Sequence, residues 1–444
     1  MSLPRYPEYK ESGVAWLGVV PAHWEVRRLG FYFAERREKV SDKEFPPLSV
    51  TKGGVVPQID TAAKTDDGDN RKLVRAGDFV INSRSDRKGS AGAARQDGSV
   101  SLISTVLQPA SGVNIAFAHH LLRSIPFQEE FYRYGKGIVA DLWSTSYSEM
   151  RNISLALPSL SEQAAIAAFL DREAGRIDAL MSEQEKLIAL LAEKRQATIS
   201  NAVTRGLNPD APMKDSGVAW LGEVPRHWHV EPLANRYSVQ LGKMLDSSKI
   251  SGEHLRPYLR VYDVQWGVVN VSDLPLMDFD EEARERYRLI PGDILVNEGG
   301  SYPGRSAIWK GELDECYYQK ALHRLRALNA GRDSTEFLYF VLFWAANQGI
   351  FISGGNETTI EHLPAERLRR YRFPFPELAE QCQIAEFLKV ATKKLAILEA
   401  EAERAIALLT ERRSALISAA VTGQIDVRST CINTSTKYAI QDVE

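Results

Sequence analysis

The sequence repeats itself, and this repeat constrains the possible folds more than any other feature. Residues 12–24 (SGVAWLGVVPAHW) return as residues 216–228 (SGVAWLGEVPRHW), with 11 of 13 positions identical. We call these two stretches the tryptophan segments. Residues 158–170 (PSLSEQAAIAAFL) return as residues 376–388 (PELAEQCQIAEFL), whereas the stretches between the repeats match poorly. The chain therefore consists of two copies of one unit, each with a shared frame and a private domain.

The repeats divide the chain into five predicted parts. Both private domains contain short β-rich runs and helical, aromatic-rich stretches, so we predict an α+β fold of two similar domains with an internal pseudo-two-fold repeat. The parts are residues 1–157 (first tryptophan segment and private domain), 158–206 (first long helix), 207–375 (second tryptophan segment and private domain), 376–426 (second long helix) and 427–444 (a polar tail, expected to be disordered).

Each long helix carries a heptad pattern, in which apolar residues recur at alternating steps of four and three and make helices pair along a seam. Glu173 and Gln184 also fall on the pattern, where polar side chains would lower stability but fix the register. Each pattern covers about 43 residues, or about 65 Å at 1.5 Å per residue, which favours a ruler over a helix packed on its own domain. The predicted seam comprises Leu170, Ile177, Leu180, Leu187, Leu191, Leu388, Leu395, Leu398, Leu409 and Leu416.

The composition, 44% apolar and 25% charged, is typical of a folded protein with real cores. The three cysteines are widely spaced and show neither a disulfide framework nor a zinc pattern, so we expect a cytoplasmic protein. No signal peptide is evident, and the longest apolar run, residues 337–346, is too short to span a bilayer. A net charge of −3 argues against a protein that only coats nucleic acid, although local basic faces remain possible.

Motifs that indicate catalysis are mostly absent. The glycine-rich residues 299–304 lack the lysine and hydroxyl residue of a phosphate-binding loop, and we interpret them as a surface loop. His23 and His227 have no base or nucleophile nearby in the sequence, so we assign them to packed turns. Asp78, Asp86 and Lys88 faintly resemble the acidic and basic residues of metal-dependent nucleases, which leaves a self-contained nuclease as an alternative.

Polar loops after the β-rich runs favour nucleic-acid binding. Arginine and lysine bind phosphates, and arginine also binds guanine through two hydrogen bonds. An ordinary solvated surface is the alternative for any single residue. The residues predicted to bind DNA are Ser83, Arg84, Arg87, Lys88, Arg95, Lys136, Ser144 and Tyr147 in the first private domain, and Asn297, Ser301, Tyr302, Arg305, Asn356 and Thr358 in the second.

Up to about residue 426, the chain resembles the specificity subunits of type I restriction-modification enzymes. Glu377 and Ala379 depart slightly from the usual pattern. The resemblance rests on the tryptophan segments with Tyr9-Lys10-Glu11 before the first one, on the turns Gly77-Asp78 and Gly292-Asp293, and on residues 157–163 and 375–381, which open the long helices.

This resemblance implies two target-recognition domains, each binding half of a split double-stranded DNA site, and two antiparallel coiled-coil helices that set their spacing. It implies no catalysis, cofactor or metal in this chain. The implied partners are two modification subunits, which methylate adenine with S-adenosylmethionine, and restriction subunits, which use ATP and magnesium; no membrane is involved. A coiled-coil scaffold that does not bind DNA remains a further alternative.

Overall fold

The computed structural model describes residues 3–59, 68–137, 143–244, 251–300, 302–352 and 362–428. The chain separates into two compact units. Met1–Glu185 and Glu403–Glu444 form the first unit, and Lys186–Ala402 form the second. The first unit is thus built from both the N-terminal and the C-terminal parts of the chain, and each long helix has residues in both units.

The first half of the chain contains thirteen short strands within the described ranges, followed by a long helix. The strands are β1 (Tyr9–Glu11), β2 (Val19–Pro21), β3 (Glu25–Arg28), β4 (Phe33–Glu35), β5 (Lys39–Val40), β6 (Leu48–Thr51), β7 (Gly54–Pro57), β8 (Arg71–Val74), β9 (Phe79–Asn82), β10 (Ala91–Ala93), β11 (Gly98–Val100), β12 (Ser104–Pro109) and β13 (Ser154–Leu157). The helices are α1 (Leu29–Tyr32), α2 (Ile115–Leu121), α3 (Ile125–Arg133), α4 (Tyr147–Met150) and α5 (Leu160–Arg205).

The second half has a similar order of elements in the part that the structure describes. Its strands are β14 (Met213–Asp215), β15 (Glu223–Pro225), β16 (His229–Pro232), β17 (Tyr237–Leu241), β18 (Leu255–Leu259), β19 (Val264–Gln265), β20 (Val268–Val269), β21 (Leu276–Asp278), β22 (Ile294–Asn297), β23 (Ser306–Ile308), β24 (Tyr317–Tyr318), β25 (Leu322–Ala327) and β26 (Arg372–Phe375). The helices are α6 (Glu281–Tyr287), α7 (Thr335–Asn347), α8 (Ala365–Arg370) and α9 (Leu378–Val421).

The central sheets of the two private domains have the same topology. In the first unit the strand order is β10-β9-β12-β4, and in the second it is β23-β22-β25-β17, with every neighbouring pair antiparallel. A two-stranded ribbon closes each domain: β3 pairs with β13 and β16 pairs with β26. The predicted α+β fold with two similar domains is therefore confirmed.

Each unit encloses its own apolar core, and both long helices contribute to it. In the first unit, Trp24 and Phe117 pack with Ile166 of α5 and Val421 of α9. The second core contains Trp228, Phe337, Val203 and Leu388 in the same cluster of buried residues. α7, which contains the apolar run 337–346, is largely buried. Within the described ranges, no helix combines the length and apolar character needed to cross a membrane.

The two long helices are the largest elements of the chain. α5 has 46 residues and α9 has 44 residues, which correspond to about 69 and 66 Å at 1.5 Å per residue. Arg413 contacts Asp178 within the first unit, and Arg195 contacts Glu399 within the second. In the first unit Thr410 also contacts Met181, and in the second unit Gly206, which follows α5, lies beside Glu380 at the start of α9. In both units later residues of one helix thus meet earlier residues of the other, so the helix portions pair in antiparallel directions.

The phase of the predicted seam needs a correction. Leu180, Leu187 and Leu398 are exposed by 47%, 40% and 46% of their surfaces. The partly buried positions lie one residue later, at Met181, Ile188 and Glu399. A heptad pattern with a mean spacing of 3.5 residues can be written with steps of three then four residues or of four then three. The positions of the leucines favoured the wrong one of these two orders, which placed these three residues one position too early. The remaining predicted positions are buried or partly buried: Leu170, Ile177, Leu191, Leu388, Leu395, Leu409 and Leu416.

The end of α9 leads into a segment that packs against the N-terminal part of the chain. The backbone N–H of Asp426 donates to the carbonyl oxygen of Pro4 over 2.8 Å. Val427 is fully buried, and Arg428 binds the carboxylate of Asp426 at 2.7 Å. The first two residues of the predicted disordered tail are therefore packed, and residues 429–444 lie outside the described part of the chain.

Candidate nucleic-acid interface

The first tryptophan segment is fastened to the first turn of α5. Glu162 accepts a hydrogen bond from the indole N–H of Trp24 over 3.1 Å, and its other oxygen lies 2.8 Å from His23 Nε2. The hydroxyl of Tyr6 donates to the same carboxylate over 2.8 Å. A carboxylate near a helix N-terminus is also favoured by the helix dipole. His23 thus has an anchoring role, in agreement with its assignment to a packed turn.

The second tryptophan segment repeats this arrangement on α9. Glu380 accepts from the indole N–H of Trp228 over 3.1 Å and lies 2.8 Å from His227 Nε2. The next residue of each helix, Gln163 or Gln381, accepts a backbone N–H over 2.8 Å from the cap of α2 or α7. The shared Glu-Gln pair therefore ties the helix both to the tryptophan segment and to the private domain.

The ends of the long helices pack on the same segments. Gly206 follows α5 with φ +77°, and Gly423 follows α9 with φ +74°, a conformation that favours glycine. A Cβ atom on Gly206 would lie 3.2 Å from the Trp228 ring, and one on Gly423 would lie 3.2 Å from the Trp24 ring. Each tryptophan segment therefore lies between the start of one long helix and the end of the other, within one unit.

The Gly-Asp turns stabilise the sheets. Gly77 and Gly292 have φ values of +92° and +95°, and a buried aspartate follows each of them. Asp78 accepts two hydrogen bonds from Arg36, at 2.7 and 3.1 Å, and Asp293 accepts two from Arg326, both at 2.7 Å. These bonds raise the pKa of both arginines above the ordinary value. The aspartates therefore serve as buried ion-pair partners.

This geometry removes the basis for the nuclease alternative. Asp78 is only 2% exposed, and both of its carboxylate oxygens accept hydrogen bonds from Arg36. Asp86 is exposed and lies beside Arg87 at 3.7 Å. In the part of the chain that the structure describes, no group of three or more His, Cys, Asp or Glu residues is arranged to hold a metal ion.

The two polar loops of the first private domain come together in one structure, which we call the loop bridge. The backbone N–H of Thr145 donates to the carbonyl oxygen of Ser83 over 3.0 Å. Ser144 forms antiparallel bridges with both Arg84 and Lys136. Loops that are about fifty residues apart in the sequence are thereby combined, and the exposed side chains of Arg84 and Lys136 are held on neighbouring backbone segments.

The second private domain has an equivalent loop bridge. β22 ends at Asn297 as β9 ends at Asn82, and the residues that follow occupy matching places. The backbone N–H of Leu363 donates to the carbonyl oxygen of Glu298 over 2.6 Å, and Gly299 forms an antiparallel bridge with His362. The backbone scaffold is thus shared by both domains, while the side chains on it differ.

The structure separates the predicted DNA-binding residues into groups. The exposed ones are Arg84, Arg87, Lys88, Arg95, Lys136 and Tyr302, and the partly buried ones are Ser144, Tyr147 and Arg305. Ser301, Asn356 and Thr358 lie outside the described residues. The hydroxyl of Tyr147 donates to the carbonyl oxygen of Phe33 over 2.7 Å, which gives this side chain a structural contact.

Two of the predicted residues are buried, and the structure contradicts their assignment to the DNA-binding surface. Ser83 is 8% exposed and its hydroxyl lies 3.1 Å from that of Thr105 on the neighbouring strand. Asn297 is 3% exposed and donates to the carbonyl oxygen of Val261 over 3.3 Å. Ser83 directly follows β9 and Asn297 ends β22, and both side chains are withdrawn from solvent.

The sequence interpretation named Tyr302 and Arg305 but missed a second stacked pair in the second domain, Arg260 and Tyr262. The guanidinium of Arg305 lies 4.1 Å from the centre of the Tyr302 ring, and that of Arg260 lies 4.1 Å from the centre of the Tyr262 ring. Arg305 also donates to Gln265 over 2.6 Å. Tyr302 and Tyr262 are 59% and 61% exposed. Arginine with exposed aromatic rings can contact phosphates and stack on bases. Arg260 and Tyr262 lie outside the loops that the sequence pattern singled out, so the sequence did not reveal the second pair.

The two loop bridges also differ in charge. Glu298 takes the place that Ser83 has in the first domain, and burial raises the pKa of Glu298 above its ordinary value. His362 and Lys320 act in the opposite direction through their charges. The first bridge instead presents Arg84 and Lys136. The same backbone framework therefore carries an acidic and imidazole surface in one domain and a basic surface in the other.

Known proteins share both sequence and fold with this chain. Residues 268–406 match the family described as the type I restriction modification DNA specificity domain. The putative type I restriction enzyme MjaX specificity subunit of Methanocaldococcus jannaschii is 21% identical over 458 residues, covering 95% of this chain and 98% of the relative. The type I restriction enzyme EcoKI specificity subunit of Escherichia coli K12 is 25% identical over 192 residues, covering 43% of this chain and 39% of the relative.

Two solved structures share the fold. A chain from work on complex assembly and conformational transition of the type I R-M system superposes with a TM-score of 0.70 at 17% identity, covering 90% of this chain and 98% of that chain. The HsdS subunit from Thermoanaerobacter tengcongensis gives a TM-score of 0.54 at 17% identity, covering 91% of this chain and 98% of that subunit. Both likenesses extend over nearly the whole length of the neighbouring chain.

Proposed function

We propose that this chain, a member of the family of type I restriction-modification specificity subunits, reads a two-part DNA site with one private domain for each half. The observation that carries this proposal is the pair of loop bridges. The backbone bonds of Thr145 to Ser83 and of Leu363 to Glu298 are equivalent, whereas the side chains presented beside them differ. Two readers with one framework and different surfaces are suited to an asymmetric target.

The long helices fit the role of a ruler. Because α5 and α9 pair in antiparallel directions within each unit, their lengths would fix the distance between the two half-sites. Major-groove readers place their contacts on base edges, and a rigid spacer then sets the number of unread base pairs. The target is therefore proposed to contain two different short half-sites, separated by a spacer of fixed length.

The partners of a specificity subunit are DNA and the other subunits of the restriction-modification complex. We propose that two modification subunits bind this chain and methylate adenine with S-adenosylmethionine, and that restriction subunits supply the chemistry that needs ATP and magnesium. The chain itself would then need neither a cofactor nor a catalytic site. We propose that the complex works in the cytoplasm. The exposed leucines Leu180, Leu187 and Leu398 offer apolar surface for such partners.

Mapping of methylated adenines in the genome of an expressing strain tests the proposal. The expected result is a single bipartite and asymmetric motif, methylated in both halves, which disappears when the coding sequence of this chain is deleted. A strain that retains the modification subunits but lacks this chain is the matched control. A continuous motif, or one that persists in the control, would overturn the proposal.

A further inference from the structure

The first unit contains a basic cavity. Its volume is about 390 Å³, and it is lined by residues from four separate regions of the chain. Lys52 lies in the turn between β6 and β7, Lys88 follows the first loop bridge, Arg123 follows α2, and Arg413 belongs to α9. Four cationic side chains thus line one small space, and their summed positive potential favours an anion there.

Carboxylates compensate the positive charge of this cavity only in part, since Asp171 lies 2.7 Å from the cavity-lining His120 and Asp178 binds Arg413. Among the described residues, no carboxylate oxygen lies within 4 Å of the charged groups of Lys52, Lys88 or Arg123. Arg413 binds Asp178 at 2.8 Å. Arg123 donates to the carbonyl oxygen of Lys52, and its buried Nε has no hydrogen-bond partner. An anion in the cavity would supply acceptors that the protein does not provide.

His119 gives a second indication of a missing acceptor. Its Nδ1 accepts the backbone N–H of Ala93 over 3.2 Å, while its Nε2 lies 2.6 Å from Nη1 of Arg123. Burial, with the nearby Arg123, lowers the pKa of His119 to about 3, so the ring is neutral at pH 7. A neutral imidazole has one N–H and one acceptor nitrogen. The backbone N–H of Ala93 and the guanidinium of Arg123 both approach this ring, which can accept from only one of them, and an anion would supply a further acceptor.

The basic residues of this cavity are particular to the first unit. Asn114, the N-cap of α2, and Ser334, the N-cap of α7, are equivalent residues. When residues are counted from these caps, the positions of His119, His120 and Arg123 are occupied by aromatic residues in the second unit. These residues are Tyr339, Phe340 and Phe343. The ring of Phe343 packs on Trp266, with 4.8 Å between the ring centres. The shared frame therefore does not require the basic residues, which points to a ligand specific to the first unit.

We propose that this cavity binds one phosphate of the DNA backbone next to the half-site read by the first private domain. The inference rests on the proposed function and adds a specific contact to it. Lysine and arginine side chains match a phosphate in charge and in hydrogen bonding. Lys88 lines the cavity and belongs to the same basic loop as Arg84 and Arg87, so the cavity adjoins the loop proposed to contact DNA. A free phosphate ion has the same chemistry, and the experiment distinguishes the two sources.

The test uses the full chain assembled with its modification subunits. Lys52→Gln is suitable because Lys52 is exposed, so the fold should tolerate the change. The expected result is equal weakening on all DNA sequences, with the salt slope of log affinity reduced by about 0.9, the value for one phosphate. Lys43→Gln is the matched control, since Lys43 is exposed in the same domain, carries the same charge and does not line the cavity. The control should retain the wild-type slope.

Duplexes with a single uncharged methylphosphonate identify the phosphate. One position should weaken wild-type binding, and the same substitution should have no further effect on the Lys52→Gln variant. If inorganic phosphate binds the wild-type chain and the DNA results do not change with Lys52→Gln, the cavity binds a free anion and the proposal is wrong. Unchanged DNA and phosphate binding would also overturn it. Both failures leave sequence-specific binding intact, whereas failure of the proposed function would abolish sequence preference itself.

Discussion

Arg413 near the end of α9 binds Asp178 of α5, with 2.8 Å between Nε and Oδ1. In the second unit, Arg195 of α5 binds Glu399 of α9 over 2.9 Å. Both pairs connect the two long helices, so each unit contains its own charged crosslink between them. Exposed ion pairs contribute little to stability, about 0–1 kcal/mol, but they favour one register over its neighbours. The register of the helices is what a ruler must preserve.

The length of the helices is expected to set the spacer between the half-sites. Insertion of one heptad into each helix, within residues 183–197 of α5 and at the facing part of α9, keeps the seam in phase and adds about 10 Å. At 3.4 Å per base pair, the unread spacer should grow by about three base pairs, with both half-sites unchanged. Methylome mapping of the variant measures the spacer.

An insertion of four residues into each helix is the matched control for this experiment. Four residues turn a helix by about 40° beyond one full turn and move the apolar positions off the seam. This control should lose modification. An unchanged spacer in a heptad variant that still methylates DNA would exclude the ruler.

Each loop bridge should affect only one half-site. Arg84→Ala or Arg87→Ala should cost about 1–3 kcal/mol of binding when the side chain reads a base, and relax the choice of bases in one half-site. Tyr302→Ala is the matched change in the second domain, where the exposed ring is stacked on Arg305, and it should affect the other half-site. Affinities of the assembled complex for DNA variants, measured one half-site at a time, test this separation. Equal effects on both half-sites would contradict it.

The two anchoring glutamates should have unequal effects on stability. Glu162→Ala leaves the indole N–H of the buried Trp24 without its acceptor, which should cost about 1–3 kcal/mol. Glu380→Ala breaks the equivalent bond, but Glu380 is more exposed (27% against 7%) and, among the described residues, receives no bond like that from Tyr6. The loss should therefore be larger for Glu162→Ala. Urea unfolding of the two variants measures the difference, and the reverse order would disprove the assignment.

The stability of the folded chain should decrease as the pH is lowered, because of His119. Its pKa is about 3 in the folded chain and 6.5 ordinarily, so between these values the unfolded chain binds a proton that the folded chain does not. Folding free energy is then lost as pH decreases below about 6.5, by up to about 1.4 kcal/mol per pH unit for one proton. His119→Gln removes this proton and should make the dependence shallower. Identical slopes for the variant and the wild-type chain, in urea unfolding between pH 7 and 5, would refute the explanation.

The sequence predicts the elements of the shared frame because each of them is repeated, although the contacts between them join distant residues. The Trp-Glu contacts, the Gly-Asp turns and the long helices all arise from motifs that occur twice, and the structure gives each pair the same geometry. The seam phase was wrong for Leu180 and Leu398 because a heptad pattern alone does not decide which flank faces the partner helix. Repetition therefore reveals equivalent positions, but it does not reveal their surroundings.

The candidate interface was only partly predictable. The basic loop with Arg84 and Arg87 is contiguous in the sequence, so its charge is visible there. The bridge from Ser144 to Arg84 depends on how the chain returns after α3, and the burial of Ser83 and Asn297 depends on the turn at the end of a strand. The stacked pairs Arg260–Tyr262 and Arg305–Tyr302 are each local in the sequence, but only the fold brings them together, through Gln265, which bonds both Arg305 and the carbonyl oxygen of Tyr262.

The most direct test of the account is the exchange of one private domain for a copy of the other. Glu25 pairs with Leu157, and His229 pairs with Phe375, so residues 25–157 and 229–375 begin and end in equivalent ribbons. A chain in which residues 229–375 are replaced by a second copy of residues 25–157 should direct methylation to a symmetric site. In that site, the first half-site would occur twice, in inverted orientation around the spacer. Methylation of the original asymmetric site by this chain would contradict the account.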